Sequence, residues 1–156
     1  MPSVLFICTG NQFRSPIAEA VFRDALERDG LSGWTVSSAG TWTMPGQPTF
    51  AATVELARSL GLDLSGHLTR LVDARMLAES DVVLVMESGH KESLQVEFPE
   101  SGKKVFLLAE AVKGMKYDIP DPAMSPEDAE SILRNLAALV RDGREKIYRL
   151  AGAVPK

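Results

Sequence analysis

Residues Val4-Leu5-Phe6-Ile7-Cys8-Thr9-Gly10-Asn11-Gln12-Phe13-Arg14-Ser15-Pro16 pass from an uncharged apolar run to a helix start within a few positions. The run from Val4 to Ile7 is rich in β-formers, the pattern of a strand covered on both faces in a parallel sheet. Cys8 therefore falls at a strand's carboxyl end, where open α/β sheets bind their ligands. Gly10 and Asn11 readily take positive φ and are expected to curl the loop until successive N–H groups point inward, a nest for an oxyanion. Ser15 is the expected N-cap and Pro16 the expected first helical residue, which aims a helix amino terminus at the same hollow. Arg14 supplies a planar fork able to hold two oxygens of a phosphoryl group. A single cysteine ending a core strand is commonly just a small buried hydrophobe. Here the loop amides and Arg14 favour its thiolate, and Cys8 is the candidate nucleophile of a phosphate-binding loop.

Further along, Ala18, Val21, Phe22, Ala25 and Leu26 form a helical stripe that Gly30 ends. A second strand is expected over Trp34–Ala39, followed from Gly40 by the breaker-rich stretch Thr41-Trp42-Thr43-Met44-Pro45-Gly46-Gln47-Pro48. Pro48 is expected to start a helix that Gly61 closes, with Phe50, Val54, Ala57 and Leu60 on its apolar face. A short helix over Val72–Leu77 precedes a third strand over Asp81–Met86, which Glu87 and Ser88 end. The next expected elements are a helix of mixed charge over Ser88–Phe98, with His90 solvated, and a fourth strand over Lys104–Leu108. A capped start at Ser125-Pro126-Glu127-Asp128 opens one long helix with Ile132, Leu136, Leu139, Val140, Ile147 and Leu150 inward. Strands alternating with helices over short connections imply right-handed βαβ units in a parallel sheet, helices on both faces.

The second candidate piece is Tyr117-Asp118-Ile119-Pro120-Asp121-Pro122. Pro120 and Pro122 stiffen the loop, and Pro122 holds Asp121 out of helical geometry. An Asp-Pro pair alone is a common turn; beside the Cys8 loop, Asp121 is the candidate to give an ester's leaving oxygen a proton and later to take one from water. Asp118 is the runner-up, nearer to solvent.

Together these motifs resemble the signature of the low-molecular-weight protein tyrosine phosphatase family. Cys8-Thr9-Gly10-Asn11 and Arg14-Ser15-Pro16-Ile17-Ala18-Glu19-Ala20 match its loop and Asp121-Pro122 its general acid, and the likeness runs from Val4 to about Leu150. The resemblance implies a four-stranded, doubly wound parallel sheet of the phosphotyrosine protein phosphatase I-like kind. It also implies a phosphocysteine mechanism on protein phosphotyrosine with catalytic Cys8, Arg14 and Asp121. Thr9, Gly10, Asn11, Gln12, Phe13, Arg14 and Ser15 would line the phosphate site, with Ser15 bonded to the thiolate and Trp42 as an aromatic wall of the mouth. Asn11, Ser15, Ser38 and His67 match a supporting hydrogen-bond network that fixes the loop. The sequence departs from the family at three places. Phe13 stands where many members carry a second cysteine, Ala123 and Met124 stand where tyrosine-specific members carry aromatic rings, and Gln12 is larger than the small hydroxyl residue expected for phosphoarginine. A protein arginine phosphatase, an arsenate reductase drawing on an external thiol and a phosphate-binding module without turnover are the alternatives.

Length and composition set bounds. At 156 residues and 45% hydrophobic the chain suits one domain over 1–156 with a core over about 3–150. A net charge of −4 with 17 basic residues in no dense run disfavours nucleic acid and anionic membranes as partners. One cysteine and two histidines leave no disulfide framework and no zinc set. No metal or cofactor is expected. The start lacks the features of a signal peptide and no apolar run spans a bilayer, so a cytoplasmic protein is expected, as a monomer or weak dimer.

Overall fold

β1 (Ser3–Cys8) is buried along its whole length and forms the axis of the fold. The computed structural model describes residues 1–123 and 128–152. After β1 come α1 (Arg14–Arg28), β2 (Thr35–Gly40), α2 (Ala51–Ser59), α3 (Ala74–Glu79), β3 (Val82–Val85) and α4 (Ser88–Glu97). A 3-10 turn over Pro99–Lys104 leads into β4 (Val105–Leu107), and α5 (Leu108–Lys113), α6 (Ala129–Asp142) and α7 (Arg144–Leu150) complete the order. The strands lie in the order β2-β1-β3-β4, every pair parallel. The chain winds one way from β1 to β2 and the other way through β3 and β4. The switch leaves a crevice at the carboxyl end of β1, beside Cys8.

Side chains alternate across the sheet. Val4, Phe6 and Cys8 pack in one cluster with Ile17, Phe22, Leu136 and Val140 of α1 and α6. Leu5 and Ile7 pack in the other with Leu77, Val83, Val85 and Leu94, under α3 and α4. The expected sandwich of helices on both faces is therefore present, and the near-continuous apolar composition of the strands follows from it. Among the described residues no helix is long and apolar enough to cross a membrane.

Several expected boundaries move. α2 starts at Ala51, not Pro48, because Phe50 keeps an extended φ of −58° and ψ of 142° as its N-cap. The short helix lies later, at Ala74–Glu79, where the Asp73 side chain accepts from the Met76 amide. The long final helix is two helices, broken at Gly143. A Cβ at Gly143 would run into Val112 Cγ1, so the chain turns there against α5. Leu150 is consequently exposed at 38% instead of inward. Met124, Ser125, Pro126 and Glu127 lie outside the described residues, and α6 is capped by Asp128, whose carboxylate accepts from the Glu130 amide.

Candidate active site

The turn after β1 brings two donors to the sulfur of Cys8. The Asn11 amide lies 3.3 Å from Sγ and the Ser15 hydroxyl 2.9 Å from it. Asn11 sits at φ +57°, the one non-glycine positive φ among the described residues. The left-handed state is more accessible to asparagine than to most side chains, and here four contacts hold it. Its Oδ1 accepts from the Arg70 amide at 2.9 Å, and its Nδ2 donates to Ser15 Oγ at 2.8 Å and Ser38 Oγ at 3.0 Å. Its backbone carbonyl lies 2.9 Å from His67 Nε2. Gly10, expected to share the positive φ, does not take it. One left-handed residue suffices to curl the loop.

The network has a direction. Ser38 donates its hydroxyl hydrogen to Glu19 Oε1 at 2.6 Å, so its oxygen is free only to accept from Asn11. Ser15 likewise accepts from Asn11, which leaves its one hydrogen available to the Cys8 sulfur 2.9 Å away. Ser15 is therefore not the N-cap. α1 begins one residue earlier, at Arg14, with Phe13 in the capping position and no side-chain cap. The hydroxyl serves the sulfur instead, and Pro16 lies third in the first turn, where a missing N–H is tolerated.

Arg14 is 2% exposed. Its Nη1 donates to Glu87 Oε2 at 2.7 Å and to the Ile119 carbonyl at 2.8 Å. Among the described residues nothing engages Nε, and Nη2 lies 3.8 Å from Asp121 Oδ2. One edge of the guanidinium is thus locked and the other, carrying two parallel N–H groups, is left for an oxyanion. Ile119 is a peg for the loop that carries Asp121: its amide donates to the Met86 carbonyl at 2.8 Å at the end of β3 while its carbonyl takes Arg14. Asp121 Oδ1 accepts from the Ala123 amide at 2.9 Å, leaving Oδ2 toward the cleft. Asp118 is exposed and accepts from the Ser88 amide at 2.8 Å, tying the loop to the start of α4.

His90 corrects the sequence reading. It is buried, 7% exposed, instead of solvated. Nδ1 accepts from the Glu87 amide at 3.1 Å and Nε2 lies 2.8 Å from Thr9 Oγ1. Glu87 and His90 form a reciprocal capping box at the start of α4. Burial and the nearby Arg14 charge pull the His90 pKa below its ordinary value, against the opposing pull of Glu87, Asp118 and Asp121.

These groups open into one cleft of about 940 Å³ that Cys8, Thr9, Gly10, Arg14 and Asp121 line at its floor. Its walls are Phe13, Trp42, Met44, Phe50 and Leu71. Phe13 and Phe50 stack with ring centroids 4.5 Å apart. Gln12 turns aside, its Nε2 donating to the Pro48 carbonyl at 3.0 Å. Trp42 stands on the rim, 83% exposed. Its place is fixed by backbone bonds that carry the β1–β2 ladder into the loop, Thr41 N–H to the Cys8 carbonyl at 3.0 Å and Trp42 N–H to the Thr9 carbonyl at 3.1 Å. Among the described residues no three His, Cys, Asp or Glu side chains converge as a metal site.

The family model of low molecular weight phosphotyrosine protein phosphatases matches residues 3–151. The chain belongs to that family. A protein-arginine-phosphatase of Bacillus subtilis is 32% identical over 149 residues, 90% of this chain and 98% of that protein. The low molecular weight protein-tyrosine-phosphatase Etp of Escherichia coli is 35% identical over 127 residues, 81% of each. Among solved structures, the low molecular weight protein tyrosine phosphatase of T. tengcongensis has a TM-score of 0.83 at 33% identity, covering 96% of this chain and 99% of that one. The YwlE arginine phosphatase, as a mutant with a phosphorylated active site serine, has a TM-score of 0.85 at 32% identity, covering 95% and 99%.

In this low molecular weight phosphatase the structure brings Cys8, Thr9, Gly10, Asn11, Arg14, Ser15, Ser38, His67 and Asp121 into one neighbourhood. It leaves Gln12 and Trp42 at the edge. Sequence reasoning missed Glu19, Arg70, Glu87, His90 and Ile119. The i, i+3 pair of Glu87 and His90 before a helical run was the one local signal available, since a histidine can close a capping box as glutamate does.

Proposed function

We propose that this family member removes phosphate from tyrosine side chains of proteins, with Cys8 as nucleophile, Arg14 as phosphoryl clamp and Asp121 as the group that moves protons. The observation that carries the reading is the meeting of Cys8 Sγ, the Arg14 edge that Glu87 and Ile119 leave open and Asp121 Oδ2, 3.8 Å from that edge, in one aromatic-walled cleft. The Cys8 sulfur attacks phosphorus and the bond to the tyrosine oxygen breaks, Asp121 giving that oxygen its proton. Water then attacks the phosphocysteine, the Asp121 carboxylate takes the water's proton, the sulfur–phosphorus bond breaks and inorganic phosphate leaves. Charge building on the phosphoryl oxygens is met by the Arg14 edge, the loop amides and the amino terminus of α1. The phosphate on an active site serine in a solved relative supports a covalent phosphoenzyme at the matching place.

Phe13, Phe50, Trp42 and Met44 give the cleft an apolar, largely aromatic lining that suits an aryl ring. Phosphoarginine is the second reading, favoured by the near full-length match to the Bacillus subtilis protein-arginine-phosphatase. The two are separated by kcat/KM on matched phosphotyrosine and phosphoarginine peptides, with intact-mass detection of a phosphorylated enzyme after acid quench. A preference for the tyrosine peptide and a phosphoenzyme that Cys8→Ser fails to turn over carry the proposal. A preference for the arginine peptide transfers it to the second reading, and hydrolysis surviving in Cys8→Ser ends the nucleophile assignment.

A further inference from the structure

We propose that His90 is a positioning residue for Thr9: held in one tautomer by the Glu87 amide, it occupies the Thr9 oxygen as a donor and leaves the Thr9 hydroxyl hydrogen for an anionic oxygen in the cleft. The proposal rests on the reading that the loop holds a phosphoryl group.

The tautomer follows from hydrogen-bond counting. The Glu87 backbone amide only donates, and it lies 3.1 Å from His90 Nδ1. Nδ1 must therefore present its lone pair, and the proton of a neutral imidazole sits on Nε2. Nε2 is 2.8 Å from Thr9 Oγ1, so the histidine donates and the threonine oxygen accepts. A threonine hydroxyl has a single hydrogen. Among the described residues no other side-chain partner takes it, and Thr9 lines the cleft beside Cys8 and Gly10. The arrangement turns an ordinary hydroxyl into a donor of fixed sense next to the nucleophile.

The surroundings keep the ring neutral. The charged groups facing His90 are Arg14 from α1, Glu87 from the start of α4, and Asp118 and Asp121 from the loop after α5. Protonation would put a hydrogen on Nδ1 against the Glu87 N–H, donor facing donor, and would add a second buried cation beside Arg14. A neutral imidazole is thus required by the capping box that also presents Glu87 to Arg14. His90 joins the phosphate loop to the α4 cap across 81 residues of sequence.

A purely structural role for the capping box predicts different behaviour, and two substitutions separate them. His90→Asn keeps an acceptor near the place of Nδ1 and cannot reach Thr9. His90→Gln places an amide nitrogen near Nε2 and loses the acceptor.

The test measures inorganic phosphate binding by titration calorimetry, which needs no turnover. It compares the parent chain, Thr9→Val, His90→Asn, His90→Gln and the Thr9→Val/His90→Asn double variant, with melting temperature recorded for each. Phosphate affinity should fall about tenfold in Thr9→Val and in His90→Asn, and no further in the double variant. His90→Gln should hold it within about threefold of the parent, less than half the free energy of a tenfold loss. Long-range proton–nitrogen NMR of the two imidazoles, assigned by the signal that His90→Gln removes, should show His90 as the Nε2–H form. An Nδ1–H form, additive losses in the double variant, or equal losses in His90→Asn and His90→Gln would overturn the proposal. Failure to hydrolyse a phosphotyrosine peptide while these binding differences persist would count against the substrate reading alone.

Discussion

Arg14 and Glu87 meet at 2.7 Å, the guanidinium 2% exposed and the carboxylate 33% exposed. A buried cation needed at the floor of an anion site must be stable when the site is empty. Glu87 offsets part of its charge and fixes one edge, so the opposite edge stays aimed without a ligand present. The backbone of Glu87 opens α4, its amide donating to His90 Nδ1 at 3.1 Å, so one residue ties the helix start to the clamp.

Removing that carboxylate should therefore reach stability and function together. Glu87→Ala leaves a buried charge short of its partner and is expected to lower stability by about 2 kcal/mol, scaled down from a fully buried pair because Glu87 is part exposed. Its kcat/KM should fall by about tenfold or more, as expected for a lost charge-assisted bond at a reacting group. Glu87→Gln keeps the bond and should lose less of both. Urea unfolding and steady-state kinetics on the same preparations check the pairing; parent-like stability and kcat/KM in Glu87→Ala would show that the carboxylate neither steadies nor aims Arg14.

Gly40, at the end of β2, lies against the phosphate loop. A Cβ there would collide with the Thr9 carbonyl and come within 3.2 Å of the Asn11 amide, one of the two donors to Cys8. Gly40→Ala is expected to cost about 1–3 kcal/mol, as overpacking does, and to weaken phosphate binding by displacing that amide. A variant with parent-like melting temperature and phosphate affinity would show that the loop yields to a methyl group.

The loop and its two neighbours were legible because their signals are local: an uncharged run, a turn residue at Asn11 and a proline in a first helical turn. The doubly wound sheet followed from alternation of strands and helices. The roles of Glu87 and His90 were not legible, since their partners Arg14 and Thr9 lie 73 and 81 residues away and their i, i+3 spacing marks a helix cap without marking what the cap touches. Ser15 misled for a related reason. A serine before a helix usually caps it, but a hydroxyl within reach of a buried sulfur and an asparagine amide has stronger claims on it than a backbone N–H. The break at Gly143 was hidden because glycine within an apolar periodicity shows no sign of the Val112 side chain it must clear.

His90 gives stability a defined pH dependence. Burial and Arg14 hold its folded pKa below the ordinary 6.5, whereas the unfolded chain takes the proton near 6.5. As pH falls below about 6.5 the unfolded state binds a proton that the folded state refuses, so stability drops until the folded value is reached. The contribution is fully present above 6.5. In His90→Gln this component disappears, and the gap in melting temperature between parent and variant should narrow from pH 7.5 to pH 5. A gap that stays constant or widens on acidification would show that His90 is not held neutral by the fold.

Asp121 supplies the most specific kinetic expectation. Its Oδ1 is engaged by the Ala123 amide and its Oδ2 lies 3.8 Å from Arg14, on the cleft side, so the backbone positions one oxygen and the other faces the site where a proton would be traded. Asp121→Asn keeps the backbone bond and removes the exchange. Phosphocysteine formation should then depend on how well the leaving oxygen departs unaided. Alkyl phosphates, with a basic leaving oxygen, should lose about 10²–10⁴-fold in rate, the range of general acid catalysis, while nitrophenyl phosphate should lose far less in that step. Water attack on the phosphocysteine also needs the carboxylate, so the variant should accumulate phosphoenzyme on nitrophenyl phosphate, visible as a burst of nitrophenol. Equal losses for both esters without a burst would remove Asp121 from proton transfer and turn attention to Asp118, which the structure ties to the Ser88 amide, away from the sulfur.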